Sequence, residues 1–175
     1  PIVPAYGALT EGGIDSDQIH YTAPGIIKLG ATIGWQMKRY WYDGVIEKGC
    51  RIVSWDKQGV WTLLEFSGVG DLVLDTSDLP LWTNYGIQAV DSGGSAITVS
   101  SVTIVDAPHR VLAVKTATAP YALRFGWAGS TVMASDEFGG TNIRDSLRDV
   151  LTFDNPTTGL SVPIDNHLPI MELVL

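Results

Sequence analysis

The spacing of apolar residues changes along this chain. Between residues 24 and 39, Ile26, Leu29, Ile33 and Met37 recur at three- and four-residue intervals. That period predicts a helix with one apolar face. Pro24 suits its first turn, with Tyr21 or Thr22 at the boundary. Gly25, Gly30 and Gly34 lower the intrinsic helix propensity, so such a helix depends on tertiary packing. The same small residues let a neighbouring element approach closely.

From about residue 50 the period becomes two. Strands are expected at 50–55, 60–66, 71–74, 86–91, 96–105, 109–116 and 121–127, where β-branched and aromatic residues alternate with polar ones. Asp56-Lys57-Gln58-Gly59 and Asp91-Ser92-Gly93-Gly94 are turn signals between them. Short strands at this spacing imply an antiparallel β-sandwich. Residues 139–146 read as an ordered polar loop, and 168–175 as an edge strand. The chain therefore divides into 1–42, a turn-rich segment with one helix, and 43–175, a β-rich unit with a C-terminal extension.

Composition narrows the function classes. The 175 residues are 45% hydrophobic, enough for a sizeable core, and carry a formal net charge of −8. Phosphate binding needs concentrated Lys and Arg, so this balance argues against a nucleic-acid partner and against adhesion to anionic lipid. No apolar run reaches membrane-spanning length, so no membrane insertion is expected. The lone cysteine, Cys50, excludes an internal disulfide, and its neighbours Ile52 and Val53 suggest a small buried strand residue. The opening Pro1-Ile2-Val3-Pro4, with neither a start Met nor a basic leader, reads as a cleaved or excised product.

The candidate chemistry is Asp17-Gln18-Ile19-His20, just before the helix. A tight turn there could set both side chains on one side. The carboxylate would accept the imidazole Nδ1 proton and leave Nε2 toward a nucleophile. A serine hydroxyl, a weak nucleophile at its free pKa, needs such a base. An Asp-x-x-His spacing by itself equally describes a surface pair or a helix cap. His109, after Pro108, reads as a strand entrance, and His167 as a loop residue; no HExxH or close ligand cluster suggests a metal, and no cofactor is implied.

The surrounding residues add to this. Ser16-Asp17-Gln18-Ile19-His20-Tyr21-Thr22-Ala23-Pro24-Gly25, continued by Ile26-Ile27-Lys28-Leu29-Gly30, resembles the last catalytic block of SGNH (GDSL-type) hydrolases. Leu123-Arg124-Phe125-Gly126-Trp127-Ala128 resembles a late strand in the accessory β-domain of sialate O-acetylesterase-like carbohydrate esterases. The resemblance implies that residues 1–42 are the end of an α/β hydrolase core, that Asp17 orients His20, and that His20 is the general base. It also implies removal of O-acetyl groups from glycans. The family's nucleophile block, Gly-Asp-Ser, does not occur here, and no Gly-x-Ser-x-Gly elbow replaces it. The serine and the oxyanion donors are then expected from a preceding segment or a companion chain, and the isolated chain is expected to be inactive.

Two groups of side chains have competing readings. Trp35, Tyr40, Trp41 and Tyr42 suit a junction between core and β-unit better than a sugar platform; exposed coplanar rings among Trp61, Trp82 and Trp127 would instead indicate carbohydrate binding. Asp71, Asp75, Asp78, Asp136, Glu137, Asp145 and Asp149 read as solvated loop charges, with no EF-hand pattern. The alternative to an esterase is a noncatalytic carbohydrate-binding or phage tail structural module. Either suits an extracellular, periplasmic or virion-associated setting, and the sequence leaves homo-oligomerisation open.

Overall fold

The computed structural model describes residues 23–45, 49–68, 70–76, 83–126, 141–146, 152–154, 159, 161–163, 168 and 171–175. Among the described residues one α-helix, α1 (Ala23–Trp41), precedes twelve strands. It extends the expected helix at both ends, and Lys38 and Arg39 in its last turn complement the helix dipole.

The first four-stranded sheet has the order β1-β2-β7-β6, formed by β1 (Arg51–Gln58), β2 (Trp61–Ser67), β6 (Val99–Asp106) and β7 (Val111–Thr116). The second runs β12-β8-β4-β5, from β4 (Ile87–Val90), β5 (Ala96–Ile97), β8 (Ala122–Phe125) and β12 (Met171–Val174). Two smaller pairs join β3 (Leu72–Leu74) to β9 (Ile143–Asp145), and β10 (Thr152–Asp154) to β11 (Ser161–Pro163). Every pairing is antiparallel. The described residues are thus mainly antiparallel β-sheet with one helix.

Alternation explains the core. In β2, Thr62, Leu64 and Phe66 are buried while Trp61 and Glu65 are exposed, as a strand with one wet face requires. Leu64 stands opposite Leu112 and Thr62 opposite Val114, so β7 turns the same face inward. Leu64, Phe66, Leu112 and Val114 from the first sheet share one cluster with Ile87, Leu123 and Phe125 from the second. Leu72, Ile143 and Leu168 join it from the short segments between.

The expected hairpins form. Asp91 Oδ1 accepts the backbone N–H groups of Gly93 and Ser95, closing the turn between β4 and β5. Between β1 and β2 the turn lies at Gly59 and Val60, because Gln58 already pairs with Trp61; Gly59 has φ +61, which glycine adopts without strain. The expected 96–105 strand is interrupted after Ile97 and resumes at Val99. The C-terminal edge strand also forms, with β12 at the margin of its sheet.

Residues 141–146 differ from the expected polar loop. Ile143–Asp145 is a strand paired with β3, and Thr141, Asn142, Arg144 and Asp145 are all buried. Polar sequence here does not mean solvent, because the backbone and side-chain groups find partners inside. Asp75 is likewise buried rather than solvated, whereas Asp71 is exposed as expected. Asp78, Asp136, Glu137 and Asp149 lie outside the described residues.

Leu64 is fully buried at the centre of the first sheet. Leu64→Ala is expected to cost about 2–5 kcal/mol, through lost apolar transfer and an unfilled cavity. Denaturant unfolding should show a lowered midpoint with an unchanged slope.

Candidate functional site

Asp17 and His20 lie outside the described residues. The element that follows them does not: α1 begins at Ala23, directly downstream of the Asp-x-x-His segment. Ile26, Ile33 and Met37, expected to form its packing face, are exposed. Tyr40, Trp41 and Tyr42 are exposed too, Trp41 to 63% and Tyr42 to 84%, while Trp35 is half-buried. The Tyr40 and Trp41 rings lie 6.4 Å apart at 58°, tilted rather than stacked. Asp43, after the helix, accepts from Arg39 at 3.1 Å and from Lys38 Nζ at 3.3 Å, which together hold its carboxyl below the usual carboxylate range, Arg39 the more strongly.

A second Asp-x-x-His does lie within the described residues. Asp106 ends β6 and His109 sits in the turn to β7. One carboxylate oxygen of Asp106 accepts the His109 backbone N–H at 3.0 Å, and the other lies 2.8 Å from His109 Nδ1. Asp106 is thereby held below the usual carboxylate range, first by the backbone N–H and then by the ring. The geometry is that of a base oriented by a carboxylate, but the His109 side chain is 82% exposed and Asp106 is its one hydrogen-bond partner among the described residues. In open solvent the pair clasps a turn. Arg110, next in the chain, adopts φ +57 and donates to the carbonyls of Phe66 and Gly70, bracing the same turn. The Asp-Ala-Pro-His spelling carried a turn signal, since Asp and Pro both favour turns, and the strand begins only at Val111.

The buried polar residues form a clamp. Arg144 Nε donates to Asp75 Oδ2 at 2.7 Å, and its Nη1 donates to the Asp145 carbonyl at 2.8 Å. Asn142 Nδ2 donates to the Asp75 carbonyl, and the Asp75 N–H donates back to the Asn142 carbonyl, both at 2.7 Å. Nothing in the sequence pointed to this pairing, because the partners are far apart in the chain and each looks like a loop polar residue. Cys50 is buried in the core cluster as expected, but in a bend just before β1 rather than within the strand. Burial and, secondarily, the Asp145 charge push its thiol well above the ordinary range, so it is a poor nucleophile. No group of three or more His, Cys, Asp or Glu among the described residues could hold a metal ion. No described helix is long and apolar enough to cross a membrane.

Trp61 is exposed on the outer face of the first sheet, with Lys115 Nζ 5.2 Å from its ring centre. Gln58, Trp61, Lys115 and Ser101 form one cross-strand row. Trp55 is also exposed, but it stands opposite the buried Leu64 and so belongs to the other face of the sheet. These two rings do not form one platform. Trp82, Trp127 and His167 lie outside the described residues.

A carbohydrate acetylesterase from Xanthomonas citri, known from its crystal structure, has a similar fold. The TM-score is 0.55 at 14% identity, over 89% of this chain and 29% of that one. The chain thus spans less than a third of the length of the protein it matches. At this identity the likeness is one of fold. No protein-family model matches the chain, and no curated protein does.

Two consequences of the geometry are measurable. Arg144→Met leaves the Asp75 carboxylate buried without its guanidinium, and is expected to lower unfolding free energy by about 3–5 kcal/mol. Urea unfolding at neutral pH reads this directly. For Asp106, the folded-state pKa lies below the unfolded one, so its small stabilisation is present above the unfolded value and is lost as pH falls through the folded value. The backbone N–H is the larger cause. A carboxyl-carbon NMR titration of His109→Ala should therefore move the Asp106 midpoint up only part of the way to the ordinary value.

Proposed function

We propose that this chain is the C-terminal part of a serine carbohydrate esterase that removes O-acetyl groups from glycans. The observation that carries the reading is the fold likeness to a carbohydrate acetylesterase across 89% of the chain. The Asp17-Gln18-Ile19-His20 block, placed immediately before α1, supports it independently.

In this mechanism Asp17 accepts the Nδ1–H of His20 and fixes the tautomer. His20 Nε2 takes the proton of a serine hydroxyl as the serine oxygen attacks the acetyl carbonyl. Backbone or side-chain donors stabilise the oxyanion. The imidazolium then gives its proton to the departing sugar oxygen, leaving an acetyl-enzyme and a free sugar hydroxyl. His20 next deprotonates water, which attacks the acetyl-enzyme and releases acetate, and the serine recovers its proton. The serine and the oxyanion donors belong to a preceding segment or a companion chain, with an acylated carbohydrate as substrate. Such an enzyme suits an extracellular, periplasmic or virion-associated setting.

The exposed Trp61 favours a second reading, a noncatalytic carbohydrate-binding or phage tail module. Acetate release from an O-acetylated oligosaccharide by the complete polypeptide or assembly separates the two. The esterase reading expects turnover there, none from residues 1–175 alone, and a loss of at least about 100-fold in His20→Ala. Unchanged turnover in His20→Ala would remove the proposed base. No turnover by the complete protein would leave the binding module.

A further inference from the structure

The outer face of the first sheet carries side chains that have no part in the proposed acetyl transfer. Gln58, Trp61, Lys115 and Ser101 stand side by side across all four of its strands. Two residues along, on the same face, the neighbouring row is Asp56, Leu63, Ala113 and Thr103. Trp61 is 40% exposed, and Asp56, Gln58, Thr103 and Lys115 are exposed around it. Lys115 Nζ lies 5.2 Å from the Trp61 ring centre, and Gln58 Nε2 donates to Asp56 Oδ2 at 2.6 Å.

A protein seam would present contiguous apolar surface. Here one large ring is framed by an ammonium, an amide, a carboxylate and hydroxyls, while Leu63 is half-buried and Ala113 buried. That set complements a pyranose. The C–H groups of the sugar lie against the indole, and its hydroxyls both donate and accept. Lys115 offers donors, Asp56 offers acceptors, and Gln58, Ser101 and Thr103 offer both. An exposed cation–π contact is weak, so the long Lys115 side chain can leave the ring and donate to a sugar hydroxyl. Charge then selects among polymers. Asp56 and Glu65 on this face outweigh Lys115, and the whole chain is at −8, so a polyanion is repelled and a neutral chain is not. The row crosses four strands, roughly 14 Å at about 4.8 Å per step, which gives room for more than one sugar unit.

We infer that the Trp61 row is a binding subsite for a neutral polysaccharide, with the indole as its stacking surface and Lys115, Gln58 and Asp56 as its polar contacts. The subsite stands on the exposed row. That its ligand is the polymer the enzyme deacetylates rests on the esterase reading.

Affinity electrophoresis of the 1–175 chain tests the subsite, in gels containing acetylated glucomannan, the same polymer deacetylated, xylan or polygalacturonate. At least one neutral polymer should retard the chain, and polygalacturonate should not. Trp61→Ala should weaken that binding by at least about tenfold, with Trp61→Phe keeping part of it. Trp55→Ala, on the opposite face, should bind like the parent chain. Trp61 is at the surface, so melting temperatures should match; if Trp61→Ala melts early, Trp61→Phe and Gln58→Ala carry the comparison, each expected to bind more weakly than the parent chain. The inference is overturned if no neutral polymer retards the chain, if polygalacturonate alone does, or if the Trp61 variant that folds binds undiminished. It is equally overturned if Trp55→Ala loses as much as Trp61→Ala, which places binding off this face. Acetate release from acetylated glucomannan by the complete polypeptide is scored separately, and there Trp61→Ala should raise KM about tenfold with kcat kept. Retardation through Trp61 without acetate release removes the esterase and keeps the subsite. Acetate release without retardation removes the subsite and keeps the esterase.

Discussion

Burying the Arg144 guanidinium and the Asp75 carboxylate together is the constraint around which the middle of this fold is arranged. Two charges taken out of water are tolerated only when geometry and hydrogen bonds are both nearly complete. Here that requirement fixes Asp75 after β3, Asn142 before β9, and the Asp145 carbonyl in a single arrangement. Those positions carry Leu72 and Ile143 into the core cluster shared by the two larger sheets. The clamp and the core are therefore coupled: the polar groups are satisfied because the strands pair, and the apolar ones are buried because the polar groups hold the strands.

The helix has a different status. The β-strands bury their apolar residues against one another, whereas the apolar stripe of α1 is exposed and α1 makes no extensive contact with another described element. Its three glycines make it a poor helix in isolation, so packing must supply what propensity does not. In the sequence α1 directly follows Asp17 and His20, the pair on which the proposed esterase reading rests.

The Asp106–His109 pair gives a useful contrast. It repeats the Asp-x-x-His spacing and reaches hydrogen-bond geometry, yet it sits in open solvent on a hairpin turn. Spacing can bring a carboxylate to an imidazole. Catalysis also needs a nucleophile, oxyanion donors and exclusion of water, and spacing supplies none of these.

The β-strands were legible in the sequence because a period of two, β-branched residues and Gly- or Asp-rich turns are local properties; the edge strand at the C-terminus and the buried Cys50 followed from the same signals. The apolar face of α1 was legible as a pattern; Asp17–His20 was read from a resemblance and lies outside the described residues. Tertiary structure decided what locality cannot encode. It turned the α1 stripe outward, set Trp55 and Trp61 on opposite faces through strand register, and drew Asp75 and Arg144 from distant positions into a buried pair. It also made a strand of residues that read as a polar loop. Each of these depends on which distant segment lies opposite, and a sequence read one window at a time holds the chemistry of both partners without the distance between them.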